Sequence, residues 1–466
     1  DSGWYAGHSH YVLAYSLLSP PLGALIGVRL AMVSSVLAAC LLFGLIAARA
    51  FPTAAARAAA LVFAFGLCAE LLSGRVPYDL GLAIGLGSVL ALMAGRPLAA
   101  LALAPLTSLA SPVAGAFLAL VYLSWALALV RPAAVDTIRR EGDPTGPAPV
   151  VTPPSRPRVR TGYATGPRLW PLALAATALA PIAALSLGFP EGGHEPFAPS
   201  SFWPAFGAVV AIALVLPRGP LSARAHRALR IGFGLYALAL ITSFSIETPM
   251  GGNAARLGPE LAPAILTGIL WERKRLALCL VAPVLVYWQL NTPIGDLSEI
   301  DGQRSANAAY YAPLLAELRG LTSAQAAGAV RPGLAADGLR GGRVHAGRPA
   351  HAHASPGSPA GPTIVEVPLT AAHMEAAYVA GHDDIELARG WDRQLDTRYG
   401  ALFYAQTLTA GAYEAWLREN KVAYVAMADA EPDYSARQEV ALIAGGLPYL
   451  REIWRSRHWR LFLLIG

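Results

Sequence analysis

Residues 23–47 read GALIGVRLAMVSSVLAACLLFGLIA, an apolar run in which Arg29 is the one charged residue. About 20 apolar residues in a helix cross the hydrocarbon core of a bilayer, and a helix satisfies its own backbone hydrogen bonds there. This run is therefore predicted to span a membrane, and it is the clearest of several such segments in the first 290 residues.

The other apolar segments predict a polytopic α-helical membrane protein with about ten spans. After 23–47 they lie at 57–73, 78–94, 97–110, 112–130, 170–188, 203–217, 230–246, 260–271 and 276–290. The segments beside Ser111-Pro112 and at 260–271 are short, so a Pro-broken hairpin that re-enters the membrane is the alternative there. The chain begins at Asp1 without Met, and we expect one further span upstream, which would make eleven.

The composition is unlike that of a soluble protein. The chain is 55% apolar and 14% charged, against about 25% charged in soluble domains. Its net charge of +6 comes mainly from arginines, many of which lie between spans, so we expect no nucleic-acid partner. The three cysteines all lie in apolar spans without paired spacing, which predicts neither a disulfide framework nor a metal site: Cys40, Cys68 and Cys279.

The arginines also predict the orientation of the spans. If the first span runs inward, the inner connections carry nearly all the basic residues that lie between spans: Arg49, Arg57, Arg96, Arg131, Arg139, Arg140, Arg156, Arg158, Arg160, Arg168, Arg218, Arg224, Arg227, Arg230, Arg273, Lys274 and Arg275. The opposite connections hold only Arg75 and Arg256. Because basic loops stay in the cytoplasm, residues 1–22 and the polar tail are predicted to lie outside the plasma membrane.

Two domains follow from this pattern. Residues 1–290 form the predicted transmembrane domain, with a Pro- and Gly-rich cytoplasmic loop at 131–169 that predicts disorder. Residues 291–466 form a predicted extracytoplasmic α/β domain, because β-branched strand-like runs alternate with helical spacing. A low-complexity insertion is predicted within it at 320–362.

The first outer loop contains an acid and two histidines among aromatic rings. Asp1 could accept a proton from an acceptor hydroxyl, while His8 or His10 could hold a phosphate. The alternative is an ordinary interfacial loop whose rings sit among lipid headgroups.

Two further outer positions carry charge near membrane depth. Glu70 lies near the outer end of the second predicted span, five residues before Arg75. An acid at this depth is costly and is a functional candidate with a partner, for which Arg75 is available. A plain ion pair that closes a helix end is the alternative. Asp79 is predicted to begin the next span.

The outer loop at 247–258 has the composition of an anion site. Gly251 and Gly252 permit close backbone approach, Asn253 offers amide hydrogen bonds, and Arg256 has a planar fork suited to phosphate oxygens. Alternatively, Arg256 reaches lipid headgroups at the start of a span.

Metal binding has only weak support. The sequence from Glu191 to Glu195 offers two carboxylates and His194 in a flexible loop, and three histidines lie in the low-complexity region. No metal ligand is assigned, although a divalent metal stays open as a cofactor.

Several stretches together resemble a known family. They are Trp4-Tyr5-Ala6-Gly7-His8, Gly74-Arg75-Val76-Pro77-Tyr78, Leu109-Ala110-Ser111-Pro112, Thr248 to Leu257, Ala388 to Asp396 and Trp454 to Arg460. This set resembles actinobacterial multispan membrane glycosyltransferases of the GT-C type.

The resemblance implies inverting sugar transfer from a polyprenyl-phosphate donor to an envelope glycan, lipid or protein on the outer face. Such enzymes place an acid just after the first span as the base or metal-linked group, and Asp1 is the matching position. The second acid common in the family is replaced by Ser2. Arg75 and Arg256 are then the predicted phosphate-binding residues, assisted by Asn253 and Glu70.

Two other functions fit the same sequence. In a transporter, the spans would form a substrate path and Glu70 would couple it to an ion, but the two halves show no evident internal repeat. A non-catalytic scaffold for envelope assembly is the third interpretation. The sequence contains no phosphate-cradling GxxxxGK[ST] loop, which argues against a nucleotide substrate.

Overall fold

A computed structural model describes most of the chain. The described residues are 16–129, 169–188, 195–217, 219–272, 274–326, 362–380, 382, 385–389, 400–404 and 407–466. They divide after Asp296 into two compact units, which are taken in turn. The loop predicted at 131–169 lies outside the described residues except for its last position, and so does most of the insertion predicted at 320–362.

The first unit is helical. Its helices are α1 (Ser19–Ile26), α2 (Val28–Ala50), α3 (Thr53–Ser73), α4 (Val76–Met93), α5 (Pro97–Ala110), α6 (Pro112–Leu129), α7 (Leu169–Gly188), α8 (Pro199–Val215), α9 (Ala223–Ser245), α10 (Leu257–Leu270) and α11 (Arg275–Ile300). A short 3-10 helix, Gly251–Arg256, leads into α10. Each predicted apolar segment is therefore helical.

Within the described residues, six helices are long and apolar enough to cross a membrane: Val28–Ala50, Val76–Met93, Pro112–Leu129, Leu169–Gly188, Ala223–Ser245 and Arg275–Ser298. Thr53–Cys68, Pro97–Ala110 and Pro199–Val215 are shorter apolar stretches. The chain thus has the helices of a membrane protein, while the count of ten crossings stays a prediction.

Two helix ends differ from the predicted spans for local reasons. The predicted span at 23–47 is split at Gly27, whose φ of 83° ends α1 and starts α2. The last predicted span ended at 290, but α11 continues to Ile300. Residues 291–300 mix polar with apolar side chains, so hydropathy does not show where this helix ends, although the backbone stays helical through Pro293.

Helices in this unit pack closely through small residues. A Cβ added at Gly81 would lie 2.8 Å from the Ala114 Cβ and 2.9 Å from the Ser111 Cβ. Small residues let backbones approach, which is typical of membrane helices. Large apolar side chains face outward, among them Leu187 and Leu61 at 84% and 72% exposure, as expected for a surface in contact with lipid.

The second unit is an α/β fold, as the sequence predicts. Its elements are α12 (Ala308–Ala326), β1 (Thr363–Glu366), α13 (Glu375–Tyr378), β2 (Ile385–Leu387), α14 (Gly400–Tyr404), α15 (Ala410–Glu419), β3 (Tyr424–Ala428), α16 (Arg437–Gly445), β4 (Leu450–Arg455) and β5 (Trp459–Leu464). Because α12 runs to Ala326, the first residues of the predicted insertion are helical.

The five strands form one sheet in the order β2-β1-β3-β5-β4. Strand β1 is parallel to β2 and β3, while β5 is antiparallel to β3 and β4. Side chains alternate between two cores: Tyr424 and Ala426 of β3 pack with α12, whereas Val425 and Met427 pack with α15 and α16. Helices therefore cover both faces of the sheet.

Candidate functional site

The site is built on the first turn of α4. Gly74 adopts a φ of 67°, and the turn that follows places the Arg75 carbonyl as acceptor for the N–H groups of Tyr78 and Asp79, at 3.0 and 3.1 Å. Pro77 favours this helix start because its fixed φ suits the first turn. Arg75, Tyr78 and Asp79 consequently lie within one turn of helix.

Tyr78 connects this turn to α10. Its hydroxyl donates a 2.6 Å hydrogen bond to Glu260 Oε2, and both side chains are buried. The Arg256 Cζ lies 5.6 Å from the centre of the Tyr78 ring. A guanidinium over a ring face is attracted to the electrons of the ring. Arg256 and Glu260 lie four residues apart, about one helical turn. Tyr78 therefore contacts both a cationic and an acidic side chain of the same segment.

The loop that carries Arg256 is fixed by close packing. Gly251 has a φ of 40°, and a Cβ there would lie 1.8 Å from the Glu195 carbonyl oxygen. The Glu195 N–H donates to the Thr248 carbonyl at 3.1 Å, which joins the two loops. Tyr236 adds a second anchor, since its hydroxyl donates to the Ala254 carbonyl at 2.8 Å.

Aromatic rings form the inner wall of the site. Phe117 meets Tyr78 and Tyr236 edge to face, each pair with ring centres 6.3 Å apart. The Tyr236 hydroxyl also accepts the Gly258 N–H at 3.0 Å, at the start of α10. These contacts hold α4, α6, α9 and α10 together at the level of Arg256.

Arg75 has an acidic partner that the sequence did not indicate. Its Nη2 lies 3.4 Å from Asp296 Oδ2, and the side chains are 21% and 33% exposed. An ion pair this exposed contributes little to stability. Its importance is positional, because it orients Arg75 beside the turn that Arg256 contacts.

The predicted site residues fall into three groups. Arg75 and Arg256 are brought to the same turn of α4, and Asn253 lies in the 3-10 helix before Arg256. Glu70 lies in α3, and its side chain is outside the described part of the chain. Asp1, His8 and His10 also lie outside the described residues.

Sequence reasoning missed the acids Glu260 and Asp296. Glu260 was hidden at the edge of a predicted span, although its spacing of four from Arg256 is a usable signal. Asp296 lies beyond the predicted end of the last span. Asp79 begins a helix as predicted, but its complete burial was not expected.

Among the residues that the structure describes, no group of three His, Cys, Asp or Glu side chains is placed to bind one metal ion. The loop Glu191 to His194 lies outside those residues.

A second buried charged cluster lies in the C-terminal unit, at the carboxyl end of the parallel strands. Arg389 Nε donates to Glu366 Oε1 at 2.9 Å, and its Nη2 donates to Glu439. Tyr413 donates to Glu439 Oε1 at 2.7 Å. Burial, followed by the charge of Glu439, raises the pKa of Glu366 well above its usual value. The cluster ties β1 to α16, and its burial makes it a structural feature.

No family model, curated protein or solved structure matches this chain.

Proposed function

We propose that this chain is a membrane glycosyltransferase that moves a sugar from a polyprenyl-phosphate donor to an envelope glycan, lipid or protein acceptor on the outer face of the plasma membrane. One observation supports the proposal: Arg75 caps the first turn of α4, and the guanidinium group of Arg256 lies over the ring of Tyr78 in the same turn. Cations fixed where charge develops on a departing phosphate lower the barrier to its departure.

The reaction balances with these groups. The acceptor hydroxyl oxygen bonds to the anomeric carbon while the bond from that carbon to the phosphate oxygen breaks. The phosphate leaves with the bonding electron pair, and its charge is met by Arg75 and Arg256. The hydroxyl proton passes to a base, for which Asp1 stays the prediction. Attack opposite the leaving group inverts the configuration.

Glu260 and Tyr78 have a positioning role in this scheme. Tyr78 presents its ring to Arg256 and its hydroxyl to Glu260. Asn253 lies in the same 3-10 helix as Arg256 and supplies an amide near the phosphate. Glu70 belongs to the neighbouring helix α3.

The test is sugar transfer in membranes that carry the full-length protein and receive a radiolabelled polyprenyl-phosphate sugar. We expect Arg256→Gln to lower transfer by about 10²-fold, the usual effect of removing one charge-stabilising donor. Arg275 provides a matched control, because its Cζ also lies over a ring, 5.5 Å from the centre of Trp271. Arg275→Gln should retain transfer.

Equal transfer by wild type and Arg256→Gln would refute the assigned phosphate site. Equal transfer by wild type and Asp1→Asn would remove Asp1 from the mechanism. Loss of transfer in a chelator, with recovery on adding a divalent ion, would indicate a metal cofactor.

A transporter is the second candidate because two carboxyl groups are buried in the helical unit. Asp79 is 0% exposed and Glu260 is 3% exposed. Ionisable groups at membrane depth commonly couple transport to protons or ions. Proteoliposomes that show substrate-driven proton uptake, lost in Glu260→Gln, would favour transport over sugar transfer.

A further inference from the structure

An apolar cavity of about 200 Å³ lies between α3, α10 and α11. It opens on the outer surface of the helical unit, because two of its lining residues, Leu61 and Phe65, are 72% and 48% exposed. Its lining is almost entirely apolar and includes Phe65, Pro263, Thr267, Ala282 and Leu285. In a membrane, an opening of this kind faces lipid chains.

The amide of Gln289 in the lining is held by a contact with the protein backbone. Gln289 Nε2 donates to the Val62 carbonyl at 3.2 Å. Gly66 makes room for this amide, since a Cβ there would lie 2.3 Å from Nε2. The rest of the lining is almost entirely apolar, and apolar surface favours hydrocarbon over water. The cavity therefore suits a hydrocarbon chain.

The distance from the cavity to Arg256 determines how long a hydrocarbon chain must be to join the two. Glu260, Pro263 and Thr267 are spaced by three and four residues, so they share one face of α10, with Arg256 a turn earlier. At 1.5 Å per residue, Thr267 lies about 16 Å along the helix from Arg256. This is close to half of a hydrocarbon core of about 30 Å.

Helix α11 also runs from the cavity toward a guanidinium group, that of Arg75. Gln289 lines the cavity, and Asp296 follows two turns later on the same side, where it contacts Arg75. Along α11 this separation is about 10 Å, so both helices run from the cavity to a guanidinium group within the depth of one leaflet.

The geometry points to a binding site for one glycerophospholipid of the leaflet in which Arg75 and Arg256 lie. Its acyl chain fills the cavity, and its phosphate contacts Arg75. Side chains of Arg75 and Asp296 are partly exposed at 21% and 33%, so a phosphate can compete with Asp296 for the guanidinium. The inference does not rest on transferase activity. If the chain transfers sugars, a lipid-linked donor competes with this phospholipid for the same arginines.

The experiment uses the full-length chain in lipid nanodiscs with a phosphatidylglycerol probe that carries a diazirine at the end of one acyl chain. After irradiation, labelled peptides are mapped by mass spectrometry. We expect labelling at the cavity lining, and a several-fold loss in Ala282→Trp, which fills the cavity. Val286→Trp is a second filling variant on a partly exposed lining residue, in case Ala282→Trp does not fold.

The matched control is Leu280→Trp, a change on the same helix at a side chain that is 72% exposed and outside the lining. Labelling of the cavity should be unchanged in it. Arg75→Gln should weaken labelling by the phospholipid probe, and a diacylglycerol probe with the same chain should label less strongly than the phospholipid.

Three results would overturn the inference. Uniform labelling along the exposed face of α11 would mean that the cavity has no specific guest. Equal labelling by diacylglycerol and phospholipid would remove the phosphate contact. Displacement of the probe by polyprenyl phosphate but not by unlabelled phosphatidylglycerol would make the lipid-linked donor the occupant.

Discussion

The hydroxyl of Tyr78 joins α4 to α10 through its hydrogen bond to the buried Glu260. A variant without this hydroxyl separates its role from that of the ring. In Tyr78→Phe the ring stays under Arg256, but Glu260 loses a donor at 2.6 Å. We expect a loss of about 1 to 3 kcal/mol, the usual cost of removing a partner from a buried polar group. The measurement is the apparent Tm of the purified protein in detergent.

Tyr122 supplies the control for that change. Its hydroxyl is also buried, but it lies 2.6 Å from the neutral hydroxyl of Ser88. Because hydrogen bonds to a carboxylate are stronger than those between neutral groups, Tyr122→Phe should lower the Tm less. A larger drop for Tyr122→Phe would show that Tyr78 is not the more important anchor.

The close packing of Gly251 against the Glu195 carbonyl fixes the loop that carries Arg256. In Gly251→Ala, the new Cβ would overlap the Glu195 carbonyl at 1.8 Å, and the φ of 40° is unfavourable for any other residue. Backbone atoms would have to shift, so we expect destabilisation of at least about 2 kcal/mol. The thermal stability of the purified chain measures this.

Gly234→Ala is the comparison for Gly251→Ala. Gly234 lies within α9, and a Cβ there meets no atom within 4 Å. Alanine favours helix over glycine by about 1 kcal/mol, so this variant should be as stable as wild type or more so. Equal Tm values for the two variants would contradict the assigned packing of the loop.

The sequence singles out Arg75 and Arg256 as candidates but does not reveal the side chains that contact them. Arg75 and Arg256 stood out because basic residues are scarce in the outer loops. The bond between Tyr78 and Glu260 joins residues far apart in the chain, and periodicity holds no information on such a pair. Asp296 was missed for a related reason, since the polar end of α11 does not stand out by hydropathy.

Among the elements of the C-terminal unit, β1, β2 and α16 meet at a cluster with more acid than base. Arg389 neutralises one of the carboxyl groups of Glu366 and Glu439, and burial favours one retained proton. The pKa of Glu366 is raised well above 4.5, mainly by burial and then by Glu439. The carboxyl end of β1 and β2 is therefore predicted to respond to pH.

The raised pKa of Glu366 determines whether stability rises or falls with pH. A carboxyl group whose pKa is raised on folding contributes its full stability below its unfolded pKa and loses it as pH rises toward its folded pKa. Each pH unit in that window costs about 1.4 kcal/mol for one proton. Protection of β1 and α16 against hydrogen exchange, corrected for intrinsic rates, should therefore fall as pH rises above about 4.3, the ordinary pKa of a glutamate.

Glu366→Gln should remove this pH dependence, because the amide cannot ionise and the pair of Arg389 with Glu439 stays neutral. Glu414→Gln is the control, since Glu414 forms only a partly exposed pair with Arg418. It should leave the pH response intact. A wild-type response that persists in Glu366→Gln would place the titrating group elsewhere.

Element boundaries were predictable where hydropathy changes sharply. The helix Pro97–Ala110 matches its predicted segment because Arg96 and Ser111-Pro112 bound it. In the tail, strand-like runs that alternate with helical spacing predicted an α/β domain, and Ala410–Glu419 is one of its helices. By contrast, α12 received no prediction, although Tyr311, Leu314 and Leu318 bury one face of it against the sheet.

For the whole molecule, the orientation of the tail depends on whether α10 crosses the membrane. Its 14 residues extend about 21 Å, which is short for a core of about 30 Å. Loss of the pair α5 and α6 would leave the parity of the spans unchanged, but loss of α10 alone would reverse the side of the tail. Lys274 and Arg275 follow α10, and the positive-inside rule favours a crossing that places them in the cytoplasm.

Cysteine labelling in intact cells tests this parity. After the three native cysteines are replaced by Ala, a single cysteine is introduced at Ala94, exposed after α4, or at Ala415, exposed on α15. With ten crossings, a membrane-impermeant thiol reagent should label Ala415→Cys and label Ala94→Cys only after the cells are opened. If α10 does not cross, the two positions share a side and respond alike. In that case Arg256, Lys274 and Arg275 would lie on one side of the membrane and the tail on the other, so an outward-facing Arg256 would require Lys274 and Arg275 to face outward, against the charge rule.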